Sequence, residues 1–235
     1  MNLKSLFKLF QRKTLDFLFP PRCVGCNKEG SLLCRNCRGE LIYLQPPLCR
    51  RCSAPISQGT ICRKCRTEDW ELDGVYSVFK YGGTIRQAIL QLKYQNIKTL
   101  ADPLSRFLAE YLSEHGLSFD IIIPVPIHKR RLRERGYNQT ALLAHRLSRM
   151  TRIPIMEGAL IRTRHTPSQA KSESVEQRRK NIRDAFTCVS WNVSDKHILL
   201  IDDVCTSGAT LNSCAAPLKL AGAASVWGLT LAKEI

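Results

Sequence analysis

Three groups of side chains in this sequence have the type and spacing to do chemistry. The first is an acidic pair, Asp202 and Asp203, followed at once by Val204, Cys205, Thr206, Ser207, Gly208, Ala209 and Thr210. A loop of small residues entering a helix offers backbone N–H groups and the positive end of the helix dipole to a phosphate. Carboxylates beside it accept hydrogen bonds from sugar hydroxyls and help to hold a hydrated Mg²⁺. Phosphate, ribose and metal side by side describe a phosphoribosyl ligand. The bland alternative is a buried strand whose acids cap the next helix. The second group is four CxxC pairs: Cys23/Cys26, Cys34/Cys37, Cys49/Cys52 and Cys62/Cys65. Each pair presents two thiolates from one tight turn. Eight thiolates make two closed tetrahedral sites, so the metals are structural Zn²⁺ with no position left for catalysis. Sequential pairing, first with second and third with fourth, is the simplest. Spacing alone also allows a cross-braced pairing.

The third group is basic. The formal net charge is +16, and residues 128–183 carry fifteen Lys and Arg against four Asp and Glu. Such a surplus favours polyanions: nucleic acid, acidic membrane or pyrophosphate. His128, Lys129, Arg130 and Arg131 follow Pro-Val-Pro, and Arg133 and Arg135 run up to Tyr137. An aromatic among arginines stacks a nucleobase, or it packs under its own loop. From Arg162 to Phe186 the chain is polar and short of apolar residues. It reads as a lid that brings Arg162, Arg164, Gln169, Arg178, Arg179 and Asn181 over a pyrophosphate or a DNA strand.

These groups need elements to position them. Ile198 to Ile201 is a β-branched apolar run with the length of a buried strand, and it ends at the acidic pair. The helix after the small-residue loop is expected to stop at Gly222, and Pro217 should kink or shorten it. VYSVFK, Ile121 to Ile123, IPIMEGALIRT and ASVWGLTLAK read as further strands. Helices are expected over TIRQAILQLKY, over Ala101 to Glu114, and after Asn138 as a cap. Strands alternating with helices predict an α/β fold with a mostly parallel sheet, whose ligands sit outside the strands' carboxyl ends. The cysteine-bearing segment, residues 23–70, is too small and too poor in apolar residues to build a core, so metal must supply much of its folding energy. TEDWELDG, residues 67–74, marks the boundary with the larger unit, which spans residues 71–235. Cys188, Cys205 and Cys214 read as small core residues. Within residues 1–22, Leu3, Leu6, Phe7 and Phe10 alternate with cations at helical spacing. Such a basic amphipathic helix lies on a membrane or packs on its own domain or a partner. The content of 44% apolar and 24% charged residues is that of a soluble globular chain. No apolar run is long enough for a transmembrane segment, and Lys4 and Lys8 interrupt any signal-peptide core. The expected location is cytoplasmic, where thiols stay reduced.

ILLIDDVCTSGAT resembles the phosphoribosyl-pyrophosphate (PRPP) loop of type I phosphoribosyltransferases, with Cys205 where an aliphatic residue is usual. That resemblance implies a pyrophosphate cradle at Ile127, His128, Lys129 and Arg130. The four CxxC pairs, PVPIHKRRLRERGYNQ, RTRHTPSQ, RRKNIRDAF and IDDVCTSGAT together resemble the competence protein F (ComF) family, also named for GntX. The resemblance implies a type I phosphoribosyltransferase-like sheet with flanking helices behind a small double zinc ribbon. It also implies a role in natural transformation, handling single-stranded DNA in the cytoplasm beside a helicase-like partner. Two other functions fit the same residues. One is an active transferase joining PRPP, with Mg²⁺, to a nitrogen acceptor; the other is a regulator that senses PRPP without turnover.

Overall fold

The computed structural model describes residues 20–163, 185–190 and 192–235. The expected N-terminal helix and most of the expected lid, with Arg164, Gln169, Arg178, Arg179 and Asn181, lie outside them.

The chain enters through two knuckle-and-helix units of the same design. In the first, the Cys34 N–H donates to the Cys23 Sγ at 3.4 Å and α1 (Arg35–Gly39) follows. In the second, the Cys62 N–H donates to the Cys49 Sγ at 3.3 Å and α2 (Arg63–Arg66) follows. The sheet region then runs β1 (Gly74–Lys80), α3 (Gly83–Tyr94), α4 (Ala101–Glu114) and β2 (Ile121–Pro124). Next come α5 (Lys129–Arg135), α6 (Gln139–Thr151), β3 (Leu160–Arg162) and β4 (Phe186–Cys188). The chain closes with β5 (His197–Cys205), α7 (Ala209–Leu220) and β6 (Ser225–Lys233). Four of these strands form a sheet in the order β1-β6-β5-β2, every neighbouring pair parallel. The fold is thus α/β with a mostly parallel sheet behind a small cysteine-rich ribbon, as the strand and helix alternation predicts.

The continuous apolar runs of β2 and β5 follow from burial on both faces, because parallel crossovers lay helices on each side. Successive side chains point to opposite faces. Accordingly Ile122, Leu199 and Ile201 join Ile89, Leu92, Leu104, Leu108 and Leu143 from α3, α4 and α6. Ile121, Ile123, Ile198 and Leu200 join Leu211, Cys214 and Leu218 from α7. The same alternation, carried two residues further, sends Asp202 and Asp203 to opposite faces.

Two expectations need correction. IPIMEGALIRT is not one strand: Ile155 makes an isolated parallel bridge to Ile122, and only Leu160–Arg162 is a strand, paired antiparallel with Phe186–Cys188. Gly158, at φ +87°, breaks the run between them. Pro217 does not cut α7 short. The helix continues through it to Leu220, and Gly222, at φ +91°, turns the chain just beyond. A proline this near the end removes a single intrahelical bond, which the packing of Cys214, Ala215 and Leu218 offsets.

Candidate functional site

The eight cysteines gather into two groups, Cys23, Cys26, Cys34 and Cys37, and Cys49, Cys52, Cys62 and Cys65, with the sulfurs of each group within 4.8 Å of one another. Pairing is therefore sequential, not cross-braced. Sγ separations of 3.7 Å between Cys26 and Cys34 and 3.8 Å between Cys52 and Cys62 match the edge, about 3.8 Å, of a tetrahedron built on ~2.3 Å Zn–S bonds. Burial opposes ionisation of Cys23 and Cys49, but backbone N–H groups aimed at their sulfurs outweigh it and bring the thiols down to about 6 and about 7. Burial and the neighbouring thiols push Cys37 and Cys65 far up. Four sulfurs this close cannot all ionise unless a cation joins them, and a Zn²⁺ fits the set.

At the carboxyl ends of the sheet a cleft of about 310 Å³ opens over the acidic pair. Asp203 faces α3 and α6 and is only 3% exposed. Its Oδ1 pairs with Lys93 Nζ at 2.6 Å, and its Oδ2 accepts from Gln139 Nε2 at 2.8 Å. Burial pulls the Lys93 ammonium down, but Asp203 outweighs burial and holds it above its usual range. Asp202, on the α7 side, accepts the Asp203 backbone N–H at 2.8 Å, the one hydrogen bond to its carboxylate given among the described residues. Burial, and then the charge of Asp203, push Asp202 up to about 7. The two carboxylates therefore differ in kind. Asp203 has both oxygens engaged within the fold, whereas Asp202 lines the cleft.

The small-residue loop is built from below. Lys233, 4% exposed, donates through Nζ to the carbonyls of Thr206 and Glu234. The Cys205 thiol is buried and donates to the Cys52 carbonyl at 3.6 Å. Ser207 Oγ accepts the Ala209 N–H at 3.3 Å. Gly208, at φ +84°, turns the chain into α7 and lies flat on Trp70, where a Cβ would come within 2.6 Å of the indole Cη2. Cys205, Ser207, Gly208 and Ala209 thus shape the loop, while Val204, Thr206 and Thr210 line the cleft.

Of the basic residues read from sequence, Arg131, Arg135 and Arg162 line the cleft together with Ile127. Burial, and then the charge of Arg131, push Arg162 below its usual range, an arrangement an anion between the two would relieve. His128 caps α5, its Nδ1 accepting the Arg130 N–H at 3.2 Å. Arg130 pairs with Glu134 at 2.9 Å on the exposed side of α5. Lys129 and Arg133 are exposed on that helix, outside the cleft lining. Tyr137 does not offer itself for base stacking. It is 8% exposed, its hydroxyl donates to the Leu92 carbonyl, and Lys98 Nζ lies 4.8 Å from its ring centroid. Asn138 caps α6 as expected, accepting the Thr140 N–H at 3.2 Å.

Three residues of the site escape a reading of motifs: Lys93, Gln139 and Lys233. Lys93 had a signal, since an acid pair at the end of a buried strand needs a countercharge and α3 carries few cations. Lys233 had none, because a lysine at a strand end ordinarily points to water.

A double zinc ribbon domain model matches residues 14–66. Competence protein F of Haemophilus influenzae (strain ATCC 51907 / DSM 11121 / KW20 / Rd) is 32% identical over 227 residues, covering 90% of this chain and 97% of that protein. DNA utilization protein YhgH of Escherichia coli O157:H7 is 34% identical over 185 residues, covering 76% of this chain and 81% of its own length. Among solved structures, a glutamine phosphoribosylpyrophosphate (PRPP) amidotransferase from B. subtilis complexed with ADP and GMP is 19% identical, covers 60% of this chain and 30% of its own, and has a TM-score of 0.42, too distant to add to the reading. With the cysteine pairs gathered as a double ribbon and a relative matched over nearly its entire length, the chain belongs to the competence protein F (ComF) family.

Proposed function

We propose that this protein handles single-stranded DNA during natural transformation, and that its cleft seats a ribose 5-phosphate group: the 5′-phosphorylated end of a strand, or free PRPP with Mg²⁺. The observation that carries the proposal is the meeting in one cleft of Asp202, the Thr206–Thr210 turn and the arginines Arg131, Arg135 and Arg162. A carboxylate for ribose hydroxyls, a helix start for a monophosphate and a cationic wall for the remaining phosphates are what such a ligand needs. Asp203 has both oxygens engaged, so Asp202 is the carboxylate with room for a sugar or for water on Mg²⁺. A cleft near the small end of ligand sites suits one sugar phosphate rather than a duplex. The relatives' names, competence protein F and DNA utilization protein, support a DNA ligand. A helicase-like partner that delivers the strand belongs to the same proposal.

The test is fluorescence anisotropy with 5′-phosphorylated and 5′-hydroxyl single strands across a salt series. The phosphorylated end should bind at least ~10-fold tighter, because each 1.4 kcal/mol is tenfold and a charged phosphate site supplies about that much. Affinity for both strands should fall steeply as salt rises. PRPP with Mg²⁺ should compete for the phosphorylated strand. Equal affinity for the two ends, with no competition by PRPP, would overturn the proposal.

A further inference from the structure

Two aromatics that motif reading passes over line the cleft, the half-buried Tyr81 and the exposed Tyr94. Tyr94 is the last residue of α3, lines the cleft and is 68% exposed. Its position is fixed from two sides. Through its neighbour Lys93 it is tied to Asp203 Oδ1, at 2.6 Å. From above, the Arg135 guanidinium lies 4.7 Å from its ring centroid. Arg135 Nη1 donates to Gln139 Oε1 at 2.8 Å, and Gln139 Nε2 donates to Asp203 Oδ2 at 2.8 Å. These contacts close a circuit, Asp203–Lys93–Tyr94–Arg135–Gln139–Asp203, so the ring is held in register with the acidic pair.

We propose that Tyr94 is the base-stacking residue of this site, receiving the planar base attached to the ribose phosphate seated in the cleft. The proposal rests on the sugar-phosphate reading above and adds to it the ligand's base. Arg135 covers one side of the ring, and the open surface offers a π-face to any base, so the contact is tolerant of sequence. Tyr137, the aromatic that its arginine neighbours single out, is buried; the ring in the geometry expected of it is Tyr94, brought there by α3 from 43 residues upstream.

The experiment uses the full chain and two 5′-phosphorylated decathymidylates that differ only in whether the first sugar carries its base or is abasic. Stacking on one aromatic is worth at least about 1 kcal/mol per base, or roughly fivefold. Wild type should therefore prefer the base-bearing strand by fivefold or more. Tyr94→Ala should abolish that preference, and Tyr94→Phe should restore it. The inference is overturned if Tyr94→Ala keeps the preference, if it weakens both strands by one factor, or if Phe fails to rescue. Binding of the abasic strand tests the sugar-phosphate reading separately. If wild type binds neither strand, both fall; if it binds both without preference, only the stacking role falls.

Discussion

The ribbon and the sheet region solve the folding problem in opposite ways. The sheet buries Ile, Leu and Val on both faces, with Leu104, Ile122, Ile123 and Leu200 fully enclosed. The second zinc knuckle encloses little besides its own cysteines: Cys49, Cys52 and Cys65 form its centre, with Ala54, Ile56, Ile61 and Trp70 packed around them. One region is held by apolar area, the other by thiolates converging on a cation. The cleft belongs to the first region but leans on the second. Trp70 lies under Gly208, Cys205 reaches the Cys52 carbonyl, and Asn212 of α7 accepts the Glu71 N–H at 2.7 Å and donates to the Asp69 carbonyl at 3.1 Å. The Thr206–Thr210 loop is thus clamped between the cysteine ribbon and a packed sheet. Val24 and Leu41 of the first knuckle also pack into the apolar core of the sheet region, so metal content and ligand affinity should be linked.

The largest effect expected is that of metal removal. Structural Zn²⁺ contributes apparent binding energies of about 10–16 kcal/mol in small ribbons. A strong chelator should unfold residues 20–66, seen as rapid proteolysis there, while far-UV circular dichroism of the sheet region persists. Affinity for a 5′-phosphorylated strand should fall with it. A single cooperative loss of both regions would break the contrast between them.

Next in size is Gly208→Ala, placed where the two regions touch. An alanine at φ +84° bears left-handed strain of about 1–2 kcal/mol, and its Cβ meets the Trp70 ring, an overpacking of roughly 1–3 kcal/mol. A thermal melt should show the combined loss. Adding Trp70→Ala should return only the overpacking part, as a double-mutant cycle measures. A cycle with no coupling would show that the ribbon does not support the loop.

A third effect, spread over several pH units, is a pH slope confined to the sheet region. The folded protein keeps the Asp202 proton to about 7, against 3.8 for the ordinary group. The folded state then binds more protons than the unfolded chain between those values, so stability falls as pH rises through that window. Asp202→Asn should flatten the slope between about pH 4 and pH 7 in urea titrations. An unchanged slope would mean that Asp202 is not the titrating group.

Much of this was legible in the chain. The Ile198–Ile201 run, Asn138 as a cap, the bounds of α4 and the metal ligands themselves all follow from short-range pattern and spacing. Long-range choices were not. Whether thiols pair sequentially or cross-braced depends on how the knuckles close in space. The strand expected through IPIMEGALIRT failed because a glycine and an edge position overrode its apolar pattern. Tyr137 took the second of its two readings, packed within the fold, because Leu92 offers its hydroxyl an acceptor, and sequence proximity to arginines says nothing about which way a ring turns.

The sequence by itself determined the parts: eight thiolates at knuckle spacing, a buried strand ending in two acids, a turn of small residues, and an excess of cations. Those are local matters of residue type and period. Only the tertiary structure decided how the parts divide their work. Strand alternation sends Asp203 inward to Lys93 and Gln139 and leaves Asp202 at the cleft. Helix packing brings Tyr94 to the mouth and hides Tyr137. Chain folding sets Trp70 and Lys233 beneath a loop that neither neighbours in sequence. The physical reason is that a charge or a ring acquires its role from what surrounds it, and those surroundings come from segments far apart along the chain.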